Sequence, residues 1–273
     1  MTQAEVVSGN APAAADSWTD VGTFTVPANV KRIKKVRMSV APDYAIDTSI
    51  RICPAFRLIG SGLLEQSPHE YLGPSGGGAA VTVGSASFQK LVVEYETDIP
   101  VQSGGTFTCQ VNFLDEVIAA GAIDFNVFYD NEAPKAKNSM SQYADAAVGA
   151  TADVWATVGT LVIPRPGAGK DPTLIKEVVV ALGLDQGVAA VLLRHSLRVR
   201  LTGAGLAEGG THEFIATAGG TWEETDGYVT FSLNTEKIDI EIPVSAGGSV
   251  LIESLLDDEV PTAGTIAVCL HYA

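Results

Sequence analysis

The chain is poor in nearly everything from which a catalytic or metal centre is made. Its 273 residues include only four histidines and three cysteines. No segment carries His-x-His, and Cys53, Cys109 and Cys269 form no Cys-x-x-Cys pair. That argues against a zinc centre, a cupin-type metal site and a disulfide framework. Aromatic residues make up 7%, and those that can be placed (Phe56, Tyr95, Phe107, Phe113, Phe125, Tyr129) fall on inward positions, which leaves little for a carbohydrate platform. Positive charge is scarce as well. Seventeen Lys and Arg face 32 Asp and Glu, for a net charge of −15, and an acidic surface repels nucleic acid. No apolar run approaches a membrane span. Met1 to Glu5 lack the basic and apolar regions of a secretory signal, so folding is expected in the compartment of synthesis, a cytoplasm. The hydrophobic fraction of 46% excludes disorder.

What is present is present twice. Trp18, Val21-Gly22-Thr23 and Val26-Pro27 return as Trp155, Val158-Gly159-Thr160 and Ile163-Pro164, a shift of 137 residues. The shift is 142 at Ile33-Lys34 and Ile175-Lys176, because Gly167 to Asp171 is extra in the second copy. It then holds at 143 without a gap, Arg57 to Asp130 against Arg200 to Ala273. Such a period is too long for a solenoid unit and is the size of a domain. The expected organisation is an N-terminal arm over 1–17, a first domain over 18–130, a linker over 131–152 and a second domain over 153–273.

Within each half the hydrophobic period is two. Ile238, Ile240 and Ile242 alternate with acidic residues, and so do Val93, Tyr95, Thr97 and Ile99. Ile123, Phe125, Val127 and Tyr129 alternate in the same way. This pattern marks antiparallel strands with one face wet. Eight strands are predicted in the first half, near 21–26, 31–40, 48–59, 69–72, 79–83, 87–99, 106–114 and 122–129. Eight more fall near 158–163, 174–184, 191–202, 212–216, 221–225, 228–242, 249–256 and 265–272. Gly- and Pro-rich turns separate them. Helix is predicted only over 115–120 and 139–147. The fold class is therefore all-β, with two tandem homologous eight-stranded antiparallel β-sandwiches of jelly-roll type. An immunoglobulin-like sandwich is the neighbouring alternative, but the Cys…Trp…Cys pattern is missing.

The clearest paired motif runs from Gly60 and Gly62 through Glu65 to His69-Glu70-Tyr71-Leu72. It recurs as Gly203, Gly205, Glu208 and His212-Glu213-Phe214-Ile215. On a strand, His69 and Glu70 point to opposite faces, as do His212 and Glu213, which disfavours one two-ligand site. A structural or subunit-contact role fits better. Arg57 and Arg200 lie on arginine stripes with Arg51, Arg194 and Arg198, and acidic partners on the same sheet or on another subunit suit them. His69, Glu70, His212, Glu213, Arg57 and Arg200 are thus the interface candidates. Gly73 to Gly77 spells Gly-x-Ser-x-Gly, but Ala218 replaces Ser75 in the second copy and no strand-to-helix elbow is expected. Asp115-Glu116 and Asp257-Asp258-Glu259 occupy equivalent positions after a strand. They are the only candidates for a structural Ca²⁺, and solvated hairpin tips are the competing reading. Trp18 and Trp155 are expected to plug the ends of the sandwiches. No catalytic residue and no cofactor are expected.

Two tandem eight-stranded sandwiches, no signal, no catalytic set and many small residues resemble the double jelly-roll major capsid proteins of tailless icosahedral viruses. The resemblance covers the whole chain and rests on architecture. It implies a structural, self-assembling coat protein: a homotrimer presenting six similar domains as a pseudo-hexameric capsomer that tiles a shell. It further implies contacts with neighbouring capsomers, with minor capsid or vertex proteins and with an underlying membrane. The protein would be made in a host cytoplasm and reside in the virion capsid, without direct contact to nucleic acid. The halves here are more alike than is usual in that family, and the chain is short, with little room for outer loops. A tandem module that binds glycan or a surface receptor is the alternative function.

Overall fold

Strand is the only regular structure among the described residues of this computed structural model. These are residues 3–10, 12, 14–43, 49–65, 68–79, 92–114, 120–135, 140–149, 151–165, 171–184, 194–220, 232–233, 235–258 and 264–273. In the first half the strands are β1 (Gln3–Asn10), β2 (Thr19–Thr25), β3 (Arg32–Asp43), β4 (Ser49–Ile52), β5 (Pro54–Ile59), β6 (His69–Leu72), β7 (Gly76–Ala79), β8 (Val92–Pro100), β9 (Thr106–Phe113) and β10 (Ala120–Asp130). The second half contains β11 (Ser141–Ala147), β12 (Ala156–Val162), β13 (Leu174–Leu184), β14 (Arg194–Thr202), β15 (His212–Gly220), β16 (Ser232–Leu233), β17 (Thr235–Pro243), β18 (Ser249–Asp258) and β19 (Gly264–Tyr272).

The two halves pair their strands identically. One sheet of the first half runs β1-β10-β3-β8, and the other runs β2-β9-β5-β6. Their counterparts are β11-β19-β13-β17 and β12-β18-β14-β15. Setting aside the short β4, β7 and β16, which make a small sheet of their own, each half has eight strands in the spatial orders 1-8-3-6 and 2-7-4-5. A single parallel bridge, Ser141 to His69, joins β11 to β6 and makes one eight-stranded sheet across the halves.

Two segments differ from expectation. Gln3–Asn10, placed in the arm, is a strand paired with β10 along its length. Ser141–Ala147, placed in the linker and predicted as helix, is a strand paired with β19. Its alanines favour helix by only a few tenths of a kcal/mol per residue, and a complete ladder on a ready-made edge outweighs that. The structure also explains the repeated Val-Gly-Thr. A Cβ on Gly22 would lie 2.7 Å from the Cβ of Val7, and one on Gly159 would lie 2.7 Å from that of Ala144. The glycine lets β1 and β11 cross closely over β2 and β12. The predicted segments 79–83 and 221–225 lie largely or wholly outside the described residues, as does the helix predicted over 115–120.

Each half encloses its own core. The first is aromatic: Phe56 stacks on Tyr71 at 5.2 Å between ring centres and meets Phe125 edge-on at 5.0 Å, while Phe24 stacks on Phe107 at 5.1 Å. The second is aliphatic, built on Ile175, Val178, Leu197, Val199, Val250, Ile252 and Leu270. Burial of such side chains contributes about 1.5–3 kcal/mol each relative to exposure. Val179, Ala181, Ala267 and Cys269 belong to the second half yet pack into the first core, so apolar packing crosses the boundary between the halves.

Candidate interface site

His69, Glu70 and Arg57 meet where the halves join. Strand β6 is the edge of its own sheet, so its residues face whatever lies beside it. Here that is β11, with β19 and β13 behind. His69 is fully buried beside Ser141, with Glu65 3.9 Å from its Nε2. Glu70 pairs across the ladder with Arg57. Burial raises its carboxyl above the usual range, while the Tyr143 backbone N–H and the Arg57 charge pull it back. The Cys269 thiol donates to the Glu70 carbonyl at 3.4 Å.

The outward face of the same sheet carries a compact cluster. The Arg57 guanidinium lies 4.2 Å above the Trp18 ring, and its Nε donates to Gln110 Oε1 at 2.8 Å. Trp18 meets Tyr143 edge-on at 6.2 Å. The second half rebuilds this cluster: Arg200 lies 4.3 Å above Trp155 and grips Glu253 with two bonds of 2.6 and 2.9 Å. Both tryptophans are thus half-buried on a sheet face and do not plug the sandwich ends, because arginine covers them there. Glu213 pairs with Arg200 across the ladder and is exposed.

Several junction residues escaped the sequence reading. The His271 ring sits 5.4 Å from both Tyr71 and Tyr95, and its Nδ1 lies 3.2 Å from Glu177. Burial, aided by Lys176 and Lys237, pushes its imidazole down to about 3. A neutral ring with its proton on Nδ1 can donate to Glu177, whose own carboxyl is raised by burial. Lys237 reaches over the Tyr95 ring at 3.7 Å and donates to the Glu94 carbonyl. A cleft of about 460 Å³ opens beside it, lined by Glu94, Glu96, Lys176, Glu177, Lys237 and Asp239. One signal for the junction was available. Ala267 and Cys269 stand where the first copy alternates to Asp124 and Asn126, so β19 reads as an uninterrupted apolar run and is buried on both faces.

The remaining candidates are not gathered into a site. Ser75 is buried, and its hydroxyl shares a hydrogen with Thr235 at 2.7 Å, which ties the halves together and forms no nucleophile elbow. Both carboxylate oxygens of Asp257 are held by Arg198 at 2.9 Å. Asp257 and Asp258 end strand β18 rather than forming a turn. Asp115, Glu116 and Glu259 lie outside the described residues, and among the described residues no group of three acidic, His or Cys side chains could hold a metal.

No protein-family model and no curated protein matches the chain. Solved structures align over nearly all of it at low similarity. A T=3 nodavirus of Penaeus vannamei is 8% identical, covering 100% of this chain and 90% of its own, with a TM-score of 0.25. The infectious bursal disease virus VP2 subviral particle is 11% identical, covering 99% and 72%, with a TM-score of 0.25. PNGase F, a glycosylasparaginase from Flavobacterium meningosepticum, is 12% identical, covering 99% and 96%, with a TM-score of 0.32. Likeness of this degree carries no functional argument.

Proposed function

We propose that each half is a jelly roll and that the chain is a structural coat protein, trimerising into a pseudo-hexameric capsomer of a virion shell. The strand orders 1-8-3-6 and 2-7-4-5 in both halves support the first part, since two four-stranded sheets in that order are the jelly-roll arrangement. The observation that carries the second part is the junction. Two copies of one sandwich are fused so that an edge of one seats on an edge of the other, and the same two edges recur elsewhere on the chain, facing no strand among the described residues. A unit that joins to its like through unlike edges makes a ring or a filament, and a closed ring of three chains presents six similar sandwiches to a lattice.

In this reading the chain works by shape, with no catalytic group and no cofactor. Its partners are its own copies, neighbouring capsomers, minor capsid or vertex proteins and a membrane beneath the shell. The net charge of −15 leaves genome contact to other components. Synthesis in a host cytoplasm follows.

Light scattering coupled to size exclusion, with and without Ca²⁺, tests the reading. A stable trimer or larger closed particles is the expected result, with six-lobed units under the electron microscope. A monomer at every concentration contradicts it and turns attention to the glycan- or receptor-binding alternative.

A further inference from the structure

The chain contains one junction and the two separated sides of a second. Strand β11 is the edge of its sheet and meets the edge strand β6. Their counterparts, β1 and β15, are each the edge of a sheet and meet no strand on that side among the described residues. We propose that the β1 edge of a second copy of this chain seats on β15 as β11 seats on β6. The proposal rests on the coat-protein reading and names the contact through which that assembly is made.

The register fixes which residues correspond. Ala4 pairs with Phe128 and Val6 with Asn126, as Ser141 pairs with His271 and Tyr143 with Cys269. Ala4 and Val6 are therefore the counterparts of Ser141 and Tyr143. On the other side, Phe214 and Ile215 correspond to Tyr71 and Leu72. Leu72 is fully buried, whereas Ile215 is 74% exposed and Val6 57%. Two large aliphatic side chains thus stand in water at the two places where the internal junction has its contacts.

The substitutions between the two junctions are matched across the gap. Inside the chain Tyr71 and Ser141 are both buried where β6 meets β11. The corresponding residues are Phe214 and Ala4, so both hydroxyls are gone. Inside the chain Tyr143 packs against the first core, where Asn112 is a buried polar residue. There the corresponding residues are Val6 and Leu255, and again both polar groups are gone. His271, between Tyr71 and Tyr95, becomes Phe128 opposite Phe214 and Ile238. Losing one member of a buried polar pair strands the other, while losing both is nearly neutral. The members of each pair sit in different halves of the chain, and only an intermolecular contact would bring them together. Cys269, which donates to the Glu70 carbonyl, becomes Asn126. Its side-chain amide can donate to Glu213 of the next copy, and its Oδ1 is buried without a partner among the described residues.

The contact is predicted to be weaker than its internal model. Behind β11 stand Val179 and Ala267, but the equivalent positions behind β1 are Arg37 and Asp124. A more polar contact is reversible and depends on salt.

The test is a double variant, Ala4→Cys with His212→Cys, at the positions equivalent to Ser141 and His69. Facing residues on adjacent strands lie within disulfide reach, and the three native cysteines are buried. Mild oxidation is expected to give covalent multimers on a non-reducing gel from the double variant and none from either single variant. A double variant that oligomerises like the wild type yet forms no cross-link overturns this contact and leaves the coat reading standing. A wild-type chain that is monomeric throughout overturns both. As a second check, Ile215→Glu changes a side chain already in water, so the folded chain keeps its Tm while the oligomer is lost. An unchanged oligomer in that variant counts against the proposal.

Discussion

His69-Glu70-Tyr71-Leu72 and His212-Glu213-Phe214-Ile215 have nearly the same sequence, the same strand and the same ladder partners, yet opposite surroundings. In the first half the segment is an internal boundary: His69 and Leu72 are fully buried and Glu70 is largely desolvated. In the second half it is a surface, with Glu213 and Ile215 exposed. Local sequence set the strand in both places, and only the neighbour beyond the edge differs. The rest of the second half records its covered position elsewhere. Its β13 and β19 present Val179, Ala181, Ala267 and Cys269 to the first half, where the first half's own β3 and β10 present Arg37, Ser39, Asp124 and Asn126. One face of the second half is therefore apolar and covered, while the matching face of the first half is polar.

The comparison can be broken by paired substitutions. The largest difference is expected for Leu72→Ala against Ile215→Ala. In dilute protein, Leu72→Ala should cost about 2–5 kcal/mol by denaturant unfolding, because a buried leucine leaves a cavity. Ile215→Ala should fall within about 0.5 kcal/mol of wild type. Equal costs would show that β15 is as covered as β6 within one chain.

A smaller effect should appear at the two crossing glycines. Gly22→Ala and Gly159→Ala each force apart strands whose side chains already sit 2.7 Å from the new Cβ. Overpacking of this kind costs about 1–3 kcal/mol. Gly22→Ala should cost more, since it also meets both γ-carbons of Val7, at 2.9 and 3.1 Å, while Gly159 meets the smaller Ala144. If Gly22→Ala were harmless, β1 would not be held against β2 as β11 is against β12.

A third effect is a pH dependence confined to the junction, in which opposing groups partly cancel. The unfolded His271 imidazole takes up a proton below about 6.5, whereas the native ring stays neutral down to about 3. The unfolded state then binds more protons, so this group's stability is full above 6.5 and is lost as pH falls toward 3, by at most about 1.4 kcal/mol per pH unit. Glu70 and Glu177 act in the opposite sense. Their carboxyls are raised by burial, so their contribution grows as pH falls toward the unfolded carboxylate range. His271→Phe, which installs the residue found at the equivalent position 128, should flatten the acid limb of Tm against pH. An unchanged limb would remove His271 as its cause.

Much of this was legible in the chain. The duplication followed from the constant shift between halves, and the sheets followed from alternation in segments such as Ile123 to Tyr129. Repetition singled out His69, Glu70 and Arg57 together with His212, Glu213 and Arg200, but it carried no sign that only the first set lies beside another strand, β11. Strands β1 and β11 were not legible, because Val6-Val7 breaks alternation and the alanines of 144–147 favour helix. Their state is decided by the waiting edges of β10 and β19, which lie more than a hundred residues away. His271 was unreadable for a related reason: it looks like an outward-facing strand residue until a second sandwich covers it.

Hydrogen–deuterium exchange at two protein concentrations distinguishes a covered β15 from a bare one. Amides of β6 should be protected at both concentrations, and those amides of His212 to Ile215 that point away from β14 should exchange fast in dilute chain and slow on assembly, together with those of β1 that point away from β10. An assembled protein in which those amides of His212 to Ile215 still exchange fast would contradict the account.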